Sequence, residues 1–432
     1  DGGVGKNMNA LPSRNNDPNF KHGRLKFTAQ GSRFNFTIKG PDLWGAKTSG
    51  FIEMDFDTAE AGIASAAFNA SQSYTPRLRH AMFRFNWPTS ELMMGQYFSM
   101  FSEWWAESAE DGPLQMTGTP TARLAQIRFT QTFMQDWTVA ALIGDPNGTA
   151  LGGPTYNNAA INNGQYAETP QVQGKIRYAH DFWGKAAYYG KPTPFTIQFT
   201  GGWQRNVQRS GAFVANNIFG EGNFQAVAIN ARHNQYLDPW MAMMSMFIPV
   251  IPTHSANLAG TASILTQWWI GQGVDAFGFT AASNKYRLVN NFFGVFNYDA
   301  ELMNKFGGFV EGQYYFNNQW FVNALYGISK AYGVSRSRFN VGSAAASGLN
   351  GMEWAMGDNA DTIQQLSATL WYRPIQAVKF GVQYAFASAT YFQNALPANA
   401  YGATTAVPAA NPAATSRYGD EHRVEFVGFF HF

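Results

Sequence analysis

Residues 421–432 run Glu-His-Arg-Val-Glu-Phe-Val-Gly-Phe-Phe-His-Phe. Val424, Phe426, Phe430 and Phe432 share one parity, interrupted by Gly428, while Arg423, Glu425 and His431 hold the other. Side chains of a β-strand point alternately to its two faces, so this segment turns aromatics one way and charges the other. Such a strand separates an apolar medium from water, and this one stops on an aromatic.

The same alternation recurs along the chain. Phe34, Phe36 and Ile38 alternate with Arg33, Asn35, Thr37 and Lys39. Phe83, Phe85 and Trp87 alternate with Met82, Arg84 and Asn86, and Ile127 and Phe129 with Gln126 and Arg128. Ile197 and Phe199 oppose Gln198 and Thr200, and Val378 to Phe386 oppose Lys379 and Gln383. So many strands, each with one apolar face, cannot share one packed core. A sandwich would bury its central strands on both faces. The pattern predicts an all-β fold, a transmembrane antiparallel β-barrel that is apolar outside and polar inside.

Composition agrees. The 432 residues are 16% aromatic and 13% charged, with a mean hydropathy of −0.25. A soluble domain usually carries about 25% charged residues. No apolar run is long enough for a membrane helix. The chain has no Cys, which removes disulfides and thiolate metal sites and suits export through an oxidising compartment. A net charge of +2 gives no basic face for nucleic acid. The chain begins at a polar Asp1, and a mature form lacking its signal peptide is expected.

Connections come in two lengths. Short turns lie at Pro88-Thr89-Ser90, Gln135-Asp136, Asn317-Asn318-Gln319 and Arg373 to Gln376. Long polar stretches occupy 58–75, 99–120, 147–168, 208–235, 273–304, 332–360 and 392–418. Barrels of this type put short turns at the periplasm and long loops outside. Counting back from Phe432, the two lengths alternate strictly and define fifteen strands. An even count needs one more. Leu25, Phe27 and Ala29 have the opposite apolar parity to Phe34 onward, which a tight hairpin or bulge at Gln30-Gly31-Ser32 explains. Sixteen strands are expected, with eighteen as the alternative because Tyr286 to Tyr298 can hide a pair within a stretch read as loop. Residues 1–22 are a polar N-terminal extension, periplasmic or lumenal, and 23–432 form one barrel.

Several segments resemble the trimeric bacterial general porins. Ser32-Arg33-Phe34, leading to Lys39-Gly40-Pro41-Asp42-Leu43-Trp44-Gly45, is similar to their second strand and first periplasmic turn. Gly50 to Asp55 (GFIEMD) resembles their next ascending strand, and Gly95-Gln96-Tyr97 the strand that feeds their third loop. The closing strand resembles theirs as well. The resemblance covers 24–135 and 420–432, with similarity of architecture alone between them.

It implies an outer-membrane porin of a Gram-negative bacterium: a homotrimer in lipid and lipopolysaccharide, passing ions and small hydrophilic solutes by passive diffusion. It implies a third loop, Phe98 to Thr119, folded into the lumen. Arg33, Arg84 and Arg128 would then form a ladder opposite Glu103, Glu107, Glu110 and Asp111. Phe432 would be the assembly signal. One departure stands out: Ser102 to Pro113 lacks the family's Pro-Glu-Phe-Gly-Gly type segment and carries Trp104 and Trp105 instead. These rings stack a solute, anchor the loop to the wall or lie at a subunit contact. Stacking would suit the alternative function, a substrate-selective channel for a sugar, anion or aromatic solute.

No enzyme is expected. The seven His are scattered without metal-ligand spacing, and no Gly-x-Ser-x-Gly elbow exists. Gly271-Gln272-Gly273 precedes no helix pattern, so no cofactor is expected.

Overall fold

The computed structural model describes residues 11–15, 23, 25, 27–29, 31–56, 76–147, 164–214, 227–279, 285–292, 295–333, 353–354, 360–391 and 416–430. Within these, 208–214, 227–235, 285–292, 295–301 and 353–354 are described by backbone alone.

Fifteen strands form one antiparallel sheet in sequence order. They are β1 (Arg33–Lys39), β2 (Lys47–Asp55), β3 (Arg77–Asn86), β4 (Ser90–Phe98), β5 (Arg123–Phe133), β6 (Trp137–Gly144) and β7 (Gln171–His180). Then follow β10 (Phe195–Trp203), β13 (Trp240–Ile251), β14 (Ala262–Gln272), β17 (Asn304–Tyr315) and β18 (Trp320–Tyr332). β20 (Ala360–Ile375), β21 (Val378–Tyr391) and β22 (Tyr418–Phe430) complete it. β8 (Ala186–Tyr188) and β9 (Lys191–Thr193) form a separate hairpin. All fifteen strands expected from the alternation are present, and short connections at one end alternate with long ones at the other.

Alternation sets the faces. On β5, Ile127 and Phe129 are 45% and 48% exposed, while Gln126 and Arg128 are 4% and 6% exposed. The fold is inverted relative to a soluble protein. Gln173, Gln198, Gln267, Gln313, Gln365 and Gln383 are buried, whereas Phe34, Phe83, Phe199, Leu370 and Phe426 stay exposed. The sheet is curled, because the single segment Glu107 to Asp111 reaches Lys379 and Gln383 on β21 and Arg33 on β1.

A β-bulge on β3 defeats simple parity. Glu53 pairs with His80 but Met54 with Leu78, so Arg79 is the extra residue. Arg79 and His80 are consequently both buried.

Three stretches expected as loop carry strands. β11 (Asn206–Val214), β12 (Val227–Leu237), β15 (Lys285–Phe292), β16 (Val295–Glu301) and β19 (Glu353–Trp354) form a second sheet in the order β12-β11-β16-β15-β19. This corrects the reading of 208–235, 273–304 and 332–360. β11 and β12 continue the β10–β13 ladder, with Trp203 opposite Trp240 and then Asn206 opposite Leu237. The sequence signal in 273–304 was weak because β15 and β16 are short, at 8 and 7 residues, and β15 shifts register between Leu288 and Asn290.

Residues 25 and 27–29 take no strand, but Ser32 N donates to Ala29 O at 3.0 Å and closes a turn ahead of β1. Part of the N-terminal extension is seated on the wall. Asn15 N donates to Tyr418 O at 2.9 Å, and Arg14 bridges Gly419 on β22. The Arg14 guanidinium lies 4.2 Å from the Tyr391 ring centroid, and the Tyr391 hydroxyl donates to Pro12 O. Leu11 packs against a cluster containing Ala387, Tyr391 and the loop residue Met116. Residues 11–15 therefore form a strap at the long-loop end of β21 and β22. Residues 1–10, 16–22 and Phe432 lie outside the described residues.

A Cβ at position 419 would run into the carbonyl oxygens of Ser13 and Pro12. Gly419→Ala is therefore expected to eject the strap. Limited trypsin digestion should then cut after Arg14 faster than in the parent, with the strand content by circular dichroism unchanged.

Candidate functional site

Ser99 to Ala122 joins β4 to β5 and crosses the interior instead of staying at the rim. An irregular segment inside a sheet must find a partner for each buried peptide group. Lumen-facing carboxamides supply many of them. Gln173 Oε1 accepts from Met100 N at 2.8 Å, and Gln198 Oε1 from Trp104 Nε1 at 3.3 Å. Gln267 Nε2 donates to Trp104 O at 3.1 Å, and Asn323 Nδ2 donates to Glu107 O. Gln383 Oε1 accepts from both Ser108 Oγ and Ala109 N, at 2.8 and 2.9 Å. Gln365 Oε1 accepts from Thr117 Oγ1 at 3.0 Å, while Trp269 Nε1 donates to Thr117 O at 2.8 Å.

Apolar contacts fill the rest of that side. Trp104, Ala106 and Leu114 pack with Phe247, Leu265, Phe309 and Leu325. Phe101 packs with Met243, Trp269 and Phe277. The side of the lumen lined by β10 to β21 is thus packed like a soluble core.

The acidic loop residues meet cations on the wall. Asp111 pairs with Arg33. Glu103 accepts from Arg128 Nη1 at 3.1 Å and from Lys175 Nζ at 2.6 Å. Glu107, nearly fully buried, accepts from Lys379 Nζ at 2.7 Å and Gln313 Nε2 at 2.8 Å, with Arg373 Nη2 at 3.7 Å. Glu110 is buried, and its amide donates to Ser108 Oγ at 3.1 Å.

The three ladder arginines fall in different surroundings. Arg84 lies 3.8 Å from Glu91 with its guanidinium 5.3 Å from the Tyr97 ring centroid, and its side chain is 30% exposed. Arg33 is similarly accessible. Arg128 is buried, donating to Gln126 Oε1 at 3.0 Å and to Phe98 O. It fastens the base of the loop. Arg77 and Arg79 add to this wall by holding Asp55, at 2.8 and 2.6 Å. Arg123 lies beneath Phe98, 5.6 Å from its ring centroid. Position alone did not single these three out. The Arg-Leu-Arg run at 77–79 was the available signal.

Trp104 is 7% exposed, with its ring stacked 6.3 Å from Phe247 and tilted 5.0 Å from Tyr188. It anchors the loop to the wall. Trp105 Nε1 donates back to Ser102 O at 2.8 Å, and its ring lies 5.4 Å from Phe98.

The sequence reading also missed the β8–β9 hairpin, which enters the interior from the short-turn end. The Tyr188 hydroxyl contacts both Trp105 N and Trp105 O, at 3.1 and 3.2 Å, and the Tyr189 hydroxyl donates to Ala106 O at 2.9 Å. Its signal was length, since 183 to 194 exceeds the short turns at 88–90 and 135–136.

With this geometry in place, comparison with solved structures shows the fold to be that of bacterial outer-membrane channels. The chain is similar to the outer membrane channel DcaP of Acinetobacter baumannii, with a TM-score of 0.60 and 14% identity over 98% of this chain and 93% of that one. The outer membrane protein OmpT of Vibrio cholerae gives a TM-score of 0.46 and 10% identity, covering 92% of this chain and 88% of that one. Salmonella typhi OmpF, in complex with daunomycin, gives 0.46 and 11%, covering 92% and 89%. No protein-family model and no curated protein matches the chain.

Removing one partner of a buried ion pair leaves the other uncompensated, at a cost of about 3–5 kcal/mol. Glu107→Ala strands Lys379 and Arg373 together, so a loss of that size is expected in urea unfolding. Arg84→Ala breaks an accessible pair and should cost less than about 1 kcal/mol in the same assay.

Proposed function

We propose that this chain is an outer-membrane porin, a water-filled barrel through which ions and small hydrophilic solutes diffuse passively. The observation that carries this reading is the inserted loop set against a charged wall. Asp111 and Glu103 face Arg33, Arg128 and Lys175 inside a sheet whose outer face is apolar. These pairs fix the loop, and the charges that stay accessible beside it, Arg33, Arg77, Arg84 and Glu91, set the field that orients water and polar solutes and disfavours apolar ones. The signs along the passage are mixed, which supports weak ion selectivity.

Strand direction supports an even-numbered barrel. β1 and β22 both run toward the short-turn end, since they are first and fifteenth in an antiparallel order. A sixteenth strand running the other way completes an antiparallel barrel. Leu25, Phe27 and Ala29 take no strand, but the Ala29–Ser32 turn leads directly into β1 and puts this segment beside the open edge. The short turns then lie in the periplasm and the long loops outside, with lipid and lipopolysaccharide around the apolar face.

A homotrimer is supported by an apolar groove of about 780 Å³ on the outer face. Gly201 pairs in register with Gly174 on one side and Ala242 on the other, forming its floor between Phe199, Ile176 and Trp268. The substrate-selective alternative draws on a stacking platform, and Trp104 is committed to the wall.

The test is single-channel conductance in a planar bilayer, with reversal potential under a KCl gradient. Ohmic current in steps of three with weak selectivity is expected. Arg84→Glu should move the reversal potential toward cation preference at unchanged fold. Small current blocked by one solute would replace the porin reading with a selective channel.

A further inference from the structure

The β8–β9 hairpin differs from the other short connections. Met134, in the turn between β5 and β6, is 82% exposed, whereas Ala186 and Ala187 are 0% and 1% exposed. The hairpin is rooted at the rim, where Lys185 N donates to Thr253 O at 2.9 Å and Thr253 N donates back at 2.8 Å. It then climbs along β14, whose Ser263 Oγ donates to Ala187 O at 3.1 Å.

Its turn is built for a tight reversal. Tyr189 and Gly190 have φ of 48° and 73°, the pattern of a two-residue type I′ turn. A tyrosine is uncommon in this left-handed region, and such outliers cluster at functional positions. A Cβ on residue 190 would run into the Arg373 guanidinium, so glycine lets the turn reach the β20 wall. The Tyr189 ring lies 5.7 Å from Lys379 Nζ, the same ammonium that holds Glu107. The hairpin therefore crosses from the β7–β10 side to the β20–β21 side beneath the loop. Tyr189 keeps 42% exposure although its hydroxyl is on Ala106 O, so its ring borders open space at the loop's underside.

We infer that this hairpin is a second constriction element, inserted from the short-turn end, with Tyr188 and Tyr189 as positioning residues for loop segment Trp105–Ala106 and Tyr189 as the lower lip of the passage. The inference rests on the channel reading above. The long loop sets the charge of the passage, and the hairpin sets its height and stiffness.

The chain contains no Cys, so Tyr189→Cys creates a unique thiol. In planar bilayers a charged methanethiosulfonate reagent added at the short-turn side should reduce current through this variant by about half, reversibly with reductant, leaving the parent unaffected. Tyr188→Phe and Tyr189→Phe, which remove hydroxyl bonds alone, should raise open-channel noise at unchanged heat-modifiable mobility. A thiol that labels without changing current, or that cannot be labelled from water, overturns the lower lip. Phe variants as quiet as the parent overturn the positioning role. A parent that forms no channel instead overturns the porin reading itself.

Discussion

A chain segment lying inside a curled sheet has lost bulk water without gaining a ladder partner, and much of this interior answers to that constraint. Buried peptide groups left unpaired cost on the order of 1–3 kcal/mol each. Gln173, Gln198, Gln267, Gln313, Asn323, Gln365 and Gln383 place a carboxamide on each of seven strands where Ser99 to Ala122 or its side chains need a donor or acceptor. A carboxamide offers both roles without a charge, so it can serve an N–H or a C=O at the same depth. The inside of this protein is polar because its loop is inside.

The interior divides into two unlike halves. Along β10 to β21, the loop and the hairpin pack with Phe247, Phe309, Phe321 and Trp371. Along β1 to β4, side chains such as Arg33, Arg77, Arg84 and Glu91 retain about a third of their exposure. Aromatic packing fills one side, and accessible guanidinium groups line the other.

Much of the fold was legible because apolar outward-facing and polar inward-facing residues alternate along the strands of the main sheet from Phe34 to Phe430. The fifteen strands and their turns follow from it. Parity failed where the backbone departs from simple alternation, at the Arg79 bulge on β3 and at the register shift between Leu288 and Asn290 on β15. The charged loop was located by resemblance, and Arg33, Arg128 and the four loop carboxylates do occupy the interior. The partners were not legible. Gln313 and Gln383 read as ordinary polar-face residues, since nothing local in a strand shows which distant backbone it will meet. The hairpin was hidden for the same reason, because a tyrosine and a glycine at a rim turn look like solvent-facing punctuation until Trp105 and Ala106 are placed opposite them.

The loop's fastening has a consequence for the order of assembly. Glu107 is held by Glu311 and Lys379, and Ser108 by Gln383, groups 204 to 275 residues further along the chain. Contacts of such separation form late, since the intervening chain must first be brought into register. Loop docking is therefore a closing event of folding. During earlier stages the segment that sets the passage waits with its peptide groups in water, and the carboxamide lining is a receiving surface completed when β21 arrives.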